Sequence, residues 1–352
     1  LNSGNDSLAQ NSMYLLATSY LKVNDIVGAK NAFLFCATKS QNLVQKEVSL
    51  FNFGKLSVEL KDYAQAVNTL DQFMEGYPNS IYFRESKELW IKSLALNNNY
   101  VQALDAYESI EAPNEELQKL YPNILYGRSV VYLNDGQWDK AYQLLHKITE
   151  IPYHESIASQ TYFWQGEMAY KLGRVDDCIN SLNAYLVAPI NDGDISIPHA
   201  KYTLGFAYLK NGAYQNAYQQ FITASSLNAT NAHQQFQKDA FVRSADCLMM
   251  LKQFKPAIQA YQTIIDLHWN YEDYATLQKS ILLGGMGKVN EKVDILKQFE
   301  KTYLNSAYLN DARMELAETY IFKEDFQQAI SPLSAILKDK NASSFYPMAL
   351  YK

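Results

Sequence analysis

The residues that could carry out chemistry are few in this chain of 352 residues, and they are not spaced for catalysis. Its histidines form no His-Glu-x-x-His motif and no other metal-ligand spacing. They are His146, His154, His199, His233 and His268. Cys36, Cys178 and Cys247 form no Cys-x-x-Cys pair, and their odd number indicates no disulfide framework. We therefore expect no catalytic residues, no metal site and no cofactor.

Two glycine-containing segments superficially resemble ligand-binding loops. Residues 284–288, Gly-Gly-Met-Gly-Lys, lack the Gly-x-x-x-x-Gly-Lys-Ser/Thr frame of a phosphate loop and follow no predicted strand. Residues 191–194, Asn-Asp-Gly-Asp, have no glycine at the sixth position and no glutamate at the twelfth position of a calcium loop. We interpret both segments as connections between helices.

Composition bounds the class of partner. The net charge is −6, which gives no electrostatic case for binding nucleic acid. No run of apolar residues approaches the roughly 18 that span a membrane. Aromatic residues make up 13% of the chain and hydrophobic residues 48%, ample material for a core. These values favour an aromatic-rich globular or repeat protein.

A spacing pattern recurs nine times, at steps of 35 to 40 residues. In each copy an aromatic or aliphatic residue stands three positions before a small one, as in Tyr63-Ala-Gln-Ala66. The copies end at Ala29, Ala66, Ala103, Ala141, Cys178, Ala217, Ala257, Ala329 and, in a weaker copy, Lys292. Such a fixed period is the signature of a repeat architecture.

Most periods also contain an earlier small residue, which lies twelve positions before the small residue that ends the pattern, as Gly54 precedes Ala66. These are Ala17, Gly54, Ser129, Gly166, Gly205, Ala245, Ser280 and Ala317, with Ile91 as the exception. Large apolar residues follow the later small residue at offsets of four and seven, as Leu70 and Phe73 follow Ala66. Offsets of three, four and seven define one face of a helix. Each period is therefore predicted to hold two amphipathic helices, and the chain to be all-α.

The best copy, Leu204-Gly205…Tyr208…Ala217…Phe221…Ala224, resembles the tetratricopeptide repeat. The resemblance implies a single array forming a right-handed α-solenoid of about nine helix-turn-helix repeats. The predicted repeats span 10–46, 47–83, 84–121, 122–158, 159–197, 198–237, 238–272, 273–309 and 310–345, and residues 346–352 begin a tenth.

Residues 73–80, ending in Tyr-Pro-Asn-Ser, and their echo at 299–306 resemble repeats of bacterial cell-envelope proteins. The examples are outer-membrane assembly lipoproteins and Tol–Pal-associated periplasmic factors. The Asn-, Tyr- and Lys-rich, Arg-poor composition is similar to that of repeat proteins of Bacteroidota. The resemblance implies a periplasmic or outer-membrane-associated protein, with the cytoplasm as the alternative. Because the chain begins at Leu1 and not at Met, we interpret it as an excised or processed fragment, compatible with a lipid anchor ahead of it.

In the tetratricopeptide family the first helix of each repeat lines a concave groove. Carrying the family's groove positions onto this sequence predicts a partner-binding set. It comprises Tyr14, Phe51, Lys55, Tyr126, Phe163, Tyr202, Phe206, Asp246, Met314 and Glu318. Aromatic anchors dominate interface energetics because they offer large, rigid contact area. The alternative is that these rings pack as ordinary core between neighbouring first helices.

The function implied is a non-catalytic scaffold or adaptor that binds a partner peptide or helix within an envelope complex. Acids at Asp239, Asp246, Asp311 and Glu318 suggest a basic segment in the partner. Two alternatives remain open. The array could recruit substrates for an enzyme whose catalytic domain lies outside this chain, or its aromatic groove could bind a glycan or small molecule.

Overall fold

The computed structural model of the chain describes residues 7–225, 235–340 and 342–352. These ranges form 19 α-helices and no β-strand, which confirms the all-α prediction. Within them no helix combines the length and apolar character needed to cross a membrane. His233 lies outside the described residues.

The chain divides into two compact units, Leu1–Met168 and Ala169–Lys352, with the boundary inside the ninth helix. The first unit consists of helices that pair in sequence order. They are α1 (Ser7–Lys22), α2 (Ile26–Lys39), α3 (Leu43–Glu59), α4 (Tyr63–Gly76), α5 (Phe83–Leu96), α6 (Tyr100–Glu108), α7 (Glu115–Asn134), α8 (Trp138–Glu150) and the start of α9 (Ala158–Lys171).

The second unit continues the same alternation of first and second helices. It holds α10 (Val175–Val187), α11 (Ile197–Lys210), α12 (Tyr214–Ala224), α13 (Gln235–Met250), α14 (Phe254–Asp266), α15 (Glu272–Gly285), α16 (Val289–Thr302), α17 (Leu309–Phe322), α18 (Phe326–Lys338) and α19 (Tyr346–Tyr351). A short 3-10 turn, Ser343–Phe345, precedes α19.

The second helix of each pair begins at the aromatic or aliphatic residue that opens the sequence pattern. These starts are Ile26, Tyr63, Tyr100, Trp138, Val175, Tyr214, Phe254, Val289 and Phe326. The small residues three positions later, such as Ala66 and Ala217, have no exposed surface. The earlier small residues allow close crossing: a β-carbon built on Gly205 would lie 2.5 Å from the Phe221 ring. The predicted helix pairs are confirmed.

Each pair turns through one residue in the left-handed region, two positions before the second helix. These residues are Asn24, Lys61, Asn98, Gly136, Gly173, Gly212, Lys252, Gly287 and Glu324. In the second pair the N–H of Asp62 donates to the Ser57 carbonyl (2.8 Å) and that of Lys61 to the Val58 carbonyl (3.0 Å). This double closure is the Schellman ending of a helix, which normally favours glycine. Lys61, Lys252 and Glu324 adopt it with a β-carbon.

One helix begins earlier than the repeat pattern indicates. We predicted a repeat start at residue 122, but α7 begins at Glu115. The Asn114 side chain accepts a hydrogen bond from the Leu117 N–H (2.9 Å) and caps the helix there. Glu115 and Glu116 add negative charge to the first turn, where the helix dipole favours it. The repeat boundaries themselves stay a prediction.

Candidate functional site

Three charged residues lie on one face of α13 in the second unit. Asp239, Arg243 and Asp246 stand at i, i+4 and i+7, so the helix aligns them in a row. The guanidinium donates from Nη2 to Asp239 Oδ1 (3.1 Å) and from Nη1 to Asp246 Oδ2 (2.7 Å). This set, the α13 triad, joins two carboxylates through one guanidinium and retains one net negative charge.

Tyrosines from three other helices hold the α13 triad in place. Tyr202 on α11 donates its hydroxyl to Asp239 (2.8 Å). Tyr261 on α14 and Tyr274 on α15 both donate to Asp246 Oδ1, at 2.7 and 3.0 Å. The α13 triad therefore connects its own helix to the preceding first helix, to its second helix and to the following first helix.

Burial and charge keep these groups in the protonation states that the network needs. Burial raises the pKa of the Tyr261 and Tyr274 hydroxyls, and the Asp246 charge raises it further. Burial likewise raises the pKa of Tyr202, and its hydrogen bond to Asp239 adds to the effect. Burial lowers the pKa of Arg243, but the two carboxylates raise it more, so it stands above its ordinary value. The phenols remain donors and the guanidinium remains charged.

An aromatic cluster adjoins the α13 triad. The half-buried Tyr202 ring meets Phe206 edge-on at 5.0 Å between centroids and packs against Phe236 at 5.6 Å. Phe206 in turn meets the fully buried Phe221 edge-on at 5.0 Å. Edge-to-face packing at these distances is favourable beyond the area it buries. The cluster thus presents partly accessible rings on a well-packed base.

Further aromatic side chains extend the aromatic cluster and the α13 triad along the first helices towards α17. The Tyr274 ring lies 5.4 Å from that of Tyr308, the residue before α17. We call Tyr202, Phe206, the α13 triad, Tyr274 and Tyr308 the first-helix row. It consists of half-buried side chains apart from the exposed Tyr308 ring, and its members contact one another across α11, α13, α15 and the start of α17.

The predicted partner-binding residues of the first unit have varied surroundings. Tyr14 is half-buried and meets Phe33 edge-on at 6.2 Å. Lys55 is exposed, with its ammonium 2.7 Å from Glu85 and 5.7 Å from the Phe51 ring centroid. Tyr126 is half-buried on α7. Tyr14, Lys55 and Tyr126 keep surface that a partner could contact, and their assignment to a groove stays a prediction.

Three of the predicted groove residues are core residues. Phe51, Phe163 and Met314 are 3, 0 and 9% exposed. Phe51 stacks on Tyr82 at 4.5 Å, so one face of its ring is covered within the protein. For these three side chains the core interpretation replaces the groove interpretation, because buried side chains offer a partner little or no contact area.

The acids predicted to attract a basic partner are partly engaged within the chain. Asp246 accepts hydrogen bonds from Arg243, Tyr261 and Tyr274. Glu318 lies 3.0 Å from the Lys352 ammonium. Their charges are therefore balanced in part before any partner arrives.

Arg243, Tyr261 and Tyr274 are not among the residues that the sequence predicted to bind a partner. The available signal was the spacing on α13, where an arginine stands four residues after one aspartate and three before another. Such pairs meet on a helix face. Tyr261 and Tyr274 lie on other helices, 15 and 28 residues after Asp246, so no local sequence pattern predicts their hydrogen bonds to it.

Residues 191–194 lie in a loop, as interpreted, whereas only residues 286–288 of the other segment form a connection, because Gly284 and Gly285 are the last two residues of α15. Gly287 is the left-handed turn residue between α15 and α16. Asp192 and Ile195 exchange backbone hydrogen bonds of 2.9 and 3.0 Å, which close residues 191–194 into a tight loop before α11. No group of three or more metal-ligating side chains clusters anywhere in the ranges described.

Two segments of the chain match a known protein family. Residues 48–80 and 239–268 match the family described as tetratricopeptide repeat. The first segment covers most of α3 and α4, and the second contains the whole α13 triad and Tyr261. Comparison with curated proteins found no match. The two matched segments are thus similar to tetratricopeptide repeats, and the helix pairs of the described residues are TPR-like.

Several solved structures are similar to about half of the chain or to nearly all of it. MamA from residue 41 to its end, from Desulfovibrio magneticus RS-1, is 15% identical, with 53% of this chain and 97% of MamA covered and a TM-score of 0.43. YrrB, described as a TPR protein with an unusual peptide-binding site, is 20% identical, with 54 and 89% covered and a TM-score of 0.40. The TPR domain of P58(IPK) is 14% identical, with 97% of both chains covered and a TM-score of 0.29. These likenesses concern the fold alone.

Proposed function

We propose that this protein is a non-catalytic scaffold or adaptor that binds an extended peptide or a helix of a protein partner. The proposed contact surface is the first-helix row of the second unit. The observation that carries the proposal is the α13 triad, whose hydrogen bonds to Tyr202 and Tyr274 fix half-buried side chains of three successive first helices.

Fixed side chains favour binding because association otherwise costs about 0.5–1.5 kcal/mol for each flexible side chain that becomes ordered. Tyr202 and Phe206 are held by edge-to-face packing and, for Tyr202, by the hydrogen bond to Asp239. Their partly accessible rings would supply apolar contact area, and the net negative charge of the α13 triad would favour a partner without acidic residues there.

Site-specific photo-crosslinking in the native cells tests the proposal. A photoreactive phenylalanine analogue replaces Phe206 in the first-helix row or, as a matched control, exposed Gln219 on the second helix α12. We expect a protein adduct at 206 and none at 219, with the adduct lost when Tyr202→Ala is added to a chain that stays helical by circular dichroism. Equal adducts at both positions, or an adduct at 219 alone, would contradict the proposed surface.

The proposed setting is a bacterial envelope complex, in the periplasm or at the outer membrane, because the chain resembles cell-envelope repeat proteins of Bacteroidota. The support is the Tyr-Pro-Asn-Ser segment at 73–80, its echo at 299–306 and the Arg-poor composition. A cytoplasmic protein is the alternative. Fractionation of the source cells, followed by detection of this chain with an antibody, separates the two compartments.

The two other functions have separate tests. As a substrate-recruiting array, the chain would belong to a gene that also encodes a catalytic domain, which sequencing the full reading frame would reveal. As a glycan-binding protein, it would lose glycan affinity on Tyr202→Ala. The glycan function has less support, because the polar groups of the α13 triad already hydrogen-bond within the protein.

A further inference from the structure

A cavity of about 290 Å³ lies beside the first-helix row, between α15 and α17. Its apolar lining comes from Leu277, Ile281, Met314 and Phe345. Two acids of α17 also line the cavity: Asp311, in the first turn of the helix, and Glu315. The cavity therefore combines an apolar wall with carboxylates.

Among the described residues the Asp311 carboxylate has no cationic partner, whereas the charged residues Arg313 and Glu315 close to it in sequence are both paired. Glu315 lies 2.6 Å from the Lys292 ammonium, and Arg313 Nε lies 3.0 Å from Glu300. Within the part of the chain that the structure describes, no lysine or arginine lies within 4.0 Å of Asp311. Burial raises the pKa of Asp311, and the nearby Glu315 charge raises it further. The cavity thus holds a half-buried acid for which the described residues supply no counter-charge.

We infer that this cavity takes a lysine or arginine side chain of the bound peptide, an inference that rests on the proposed function. The aliphatic stem would lie against the half-buried Ile281 and Phe345, and the charged head would pair with Asp311. Long basic side chains readily bury their stems along apolar surface while the head keeps polar contacts. We call the cavity the basic-residue pocket.

The rim of the basic-residue pocket suits the same occupant. Tyr308 lines the pocket and its side chain is 37% exposed. A tyrosine ring face attracts an ammonium or guanidinium group. An apolar peptide side chain would instead leave the half-buried Asp311 charge without a partner, and an acidic one would be repelled by both Asp311 and Glu315.

The test uses the intact chain and a phage library of random dodecapeptides. Peptides are selected on the wild-type protein, on Asp311→Asn and on Asp294→Asn, which removes an exposed acid from the second helix α16 as a matched control. We expect a lysine or arginine at one fixed position in peptides from the wild type and from Asp294→Asn. That preference should disappear with Asp311→Asn.

An enriched peptide is then synthesised with a fluorophore, and its affinity is measured by anisotropy. A version with norleucine in place of the basic residue keeps the aliphatic stem and removes the charge. We expect about a tenfold weaker affinity from norleucine or from Asp311→Asn, and no additional loss when both changes are combined.

The outcomes separate this inference from the proposed function. Selection of no peptide at all would overturn the proposed function and this inference with it. Selected peptides without a fixed basic residue, or with equal affinity for the wild type and Asp311→Asn, would overturn the basic-residue pocket alone. The norleucine comparison holds even if Asp311→Asn alters the fold, because it changes only the peptide.

Discussion

Tyr261 on α14 donates a 2.7 Å hydrogen bond to Asp246 on α13, and the Tyr261 side chain has no exposed surface. Tyr274 donates to the same carboxylate oxygen from the following first helix (3.0 Å). One aspartate therefore accepts hydrogen bonds from the second helix of its own pair and from the first helix of the next pair. Its burial is tolerable because donors satisfy it, and removing a donor should be costly.

Removing the hydroxyl of Tyr261 tests that dependence. We expect Tyr261→Phe to lower the free energy of unfolding by about 1.5–3 kcal/mol, the range for hydrogen bonds to charged groups. Urea unfolding followed by circular dichroism measures it. Tyr208→Phe is the control, since the Tyr208 hydroxyl makes no hydrogen bond within the described residues. Equal costs for the two changes would mean that the Asp246 contact does not stabilise the fold.

Relieving a left-handed turn residue should stabilise the protein. Lys61 has φ of 61°, a conformation in which a β-carbon costs about 1–2 kcal/mol. Glycine removes that cost but loses more backbone entropy on folding, so we expect Lys61→Gly to gain about 0.5–1 kcal/mol. Lys61→Ala controls for the lost charge, and it should leave the unfolding free energy nearly unchanged. A gain from alanine as large as that from glycine would refute the backbone explanation.

Adding one carbon at a helix crossing should have the opposite effect. A β-carbon at Gly205 would lie 2.5 Å from the Phe221 ring, which is fully buried and cannot move aside. We expect Gly205→Ala to lower the unfolding free energy by about 1–3 kcal/mol, with part of the loss recovered by adding Phe221→Leu. Gly285→Ala is the control, because its β-carbon would meet nothing within 4 Å. There the better helix propensity of alanine should stabilise by up to about 1 kcal/mol.

Asp311 should make stability depend on pH in a defined direction. Its pKa is raised above 3.8 in the folded state, so the folded chain holds the proton more tightly than the unfolded chain. Ionised Asp311 therefore costs stability, and the cost appears as pH rises from 3.8 through the raised pKa. We expect Asp311→Asn to raise the Tm at pH 7, with the gain shrinking as pH falls through the raised pKa towards 3.8. A constant gain, or none, would show that the Asp311 charge is not strained by its surroundings.

The sequence predicted the helix pairs well because their signals are local. The second helix of a pair starts where the pattern places its aromatic residue, as at Tyr63 and Tyr214, and small residues such as Gly205 stand where helices cross. A period of two helices is visible from side-chain spacing alone, since each amphipathic face repeats every few residues. α7 begins before the predicted repeat start at residue 122, because the Asn114 side chain caps a helix that starts at Glu115.

The candidate site was less predictable because exposure depends on partners distant in sequence. Phe51 and Phe163 occupy the same repeat position as Tyr202, yet both are buried while Tyr202 is half-buried. Phe51 is covered by Tyr82, which belongs to the next repeat. Arg243 belongs to the candidate site because it pairs with two aspartates of its own helix. Tyr274, which lies on another helix, belongs to it because it donates a hydrogen bond to one of them. The repeat position alone does not encode those contacts.

The sequential packing of the helices bears on how the chain forms during synthesis. In the second unit α11 packs against α12 and α13, and α13 packs against α14, so contacting segments are close along the chain. Bringing such near segments together costs little loop entropy, and proteins rich in local contacts fold quickly. A helix pair therefore packs mainly against pairs that leave the ribosome shortly before and after it. Each later pair can pack against the apolar face of the pairs synthesised before it, so the repeats are added one pair at a time.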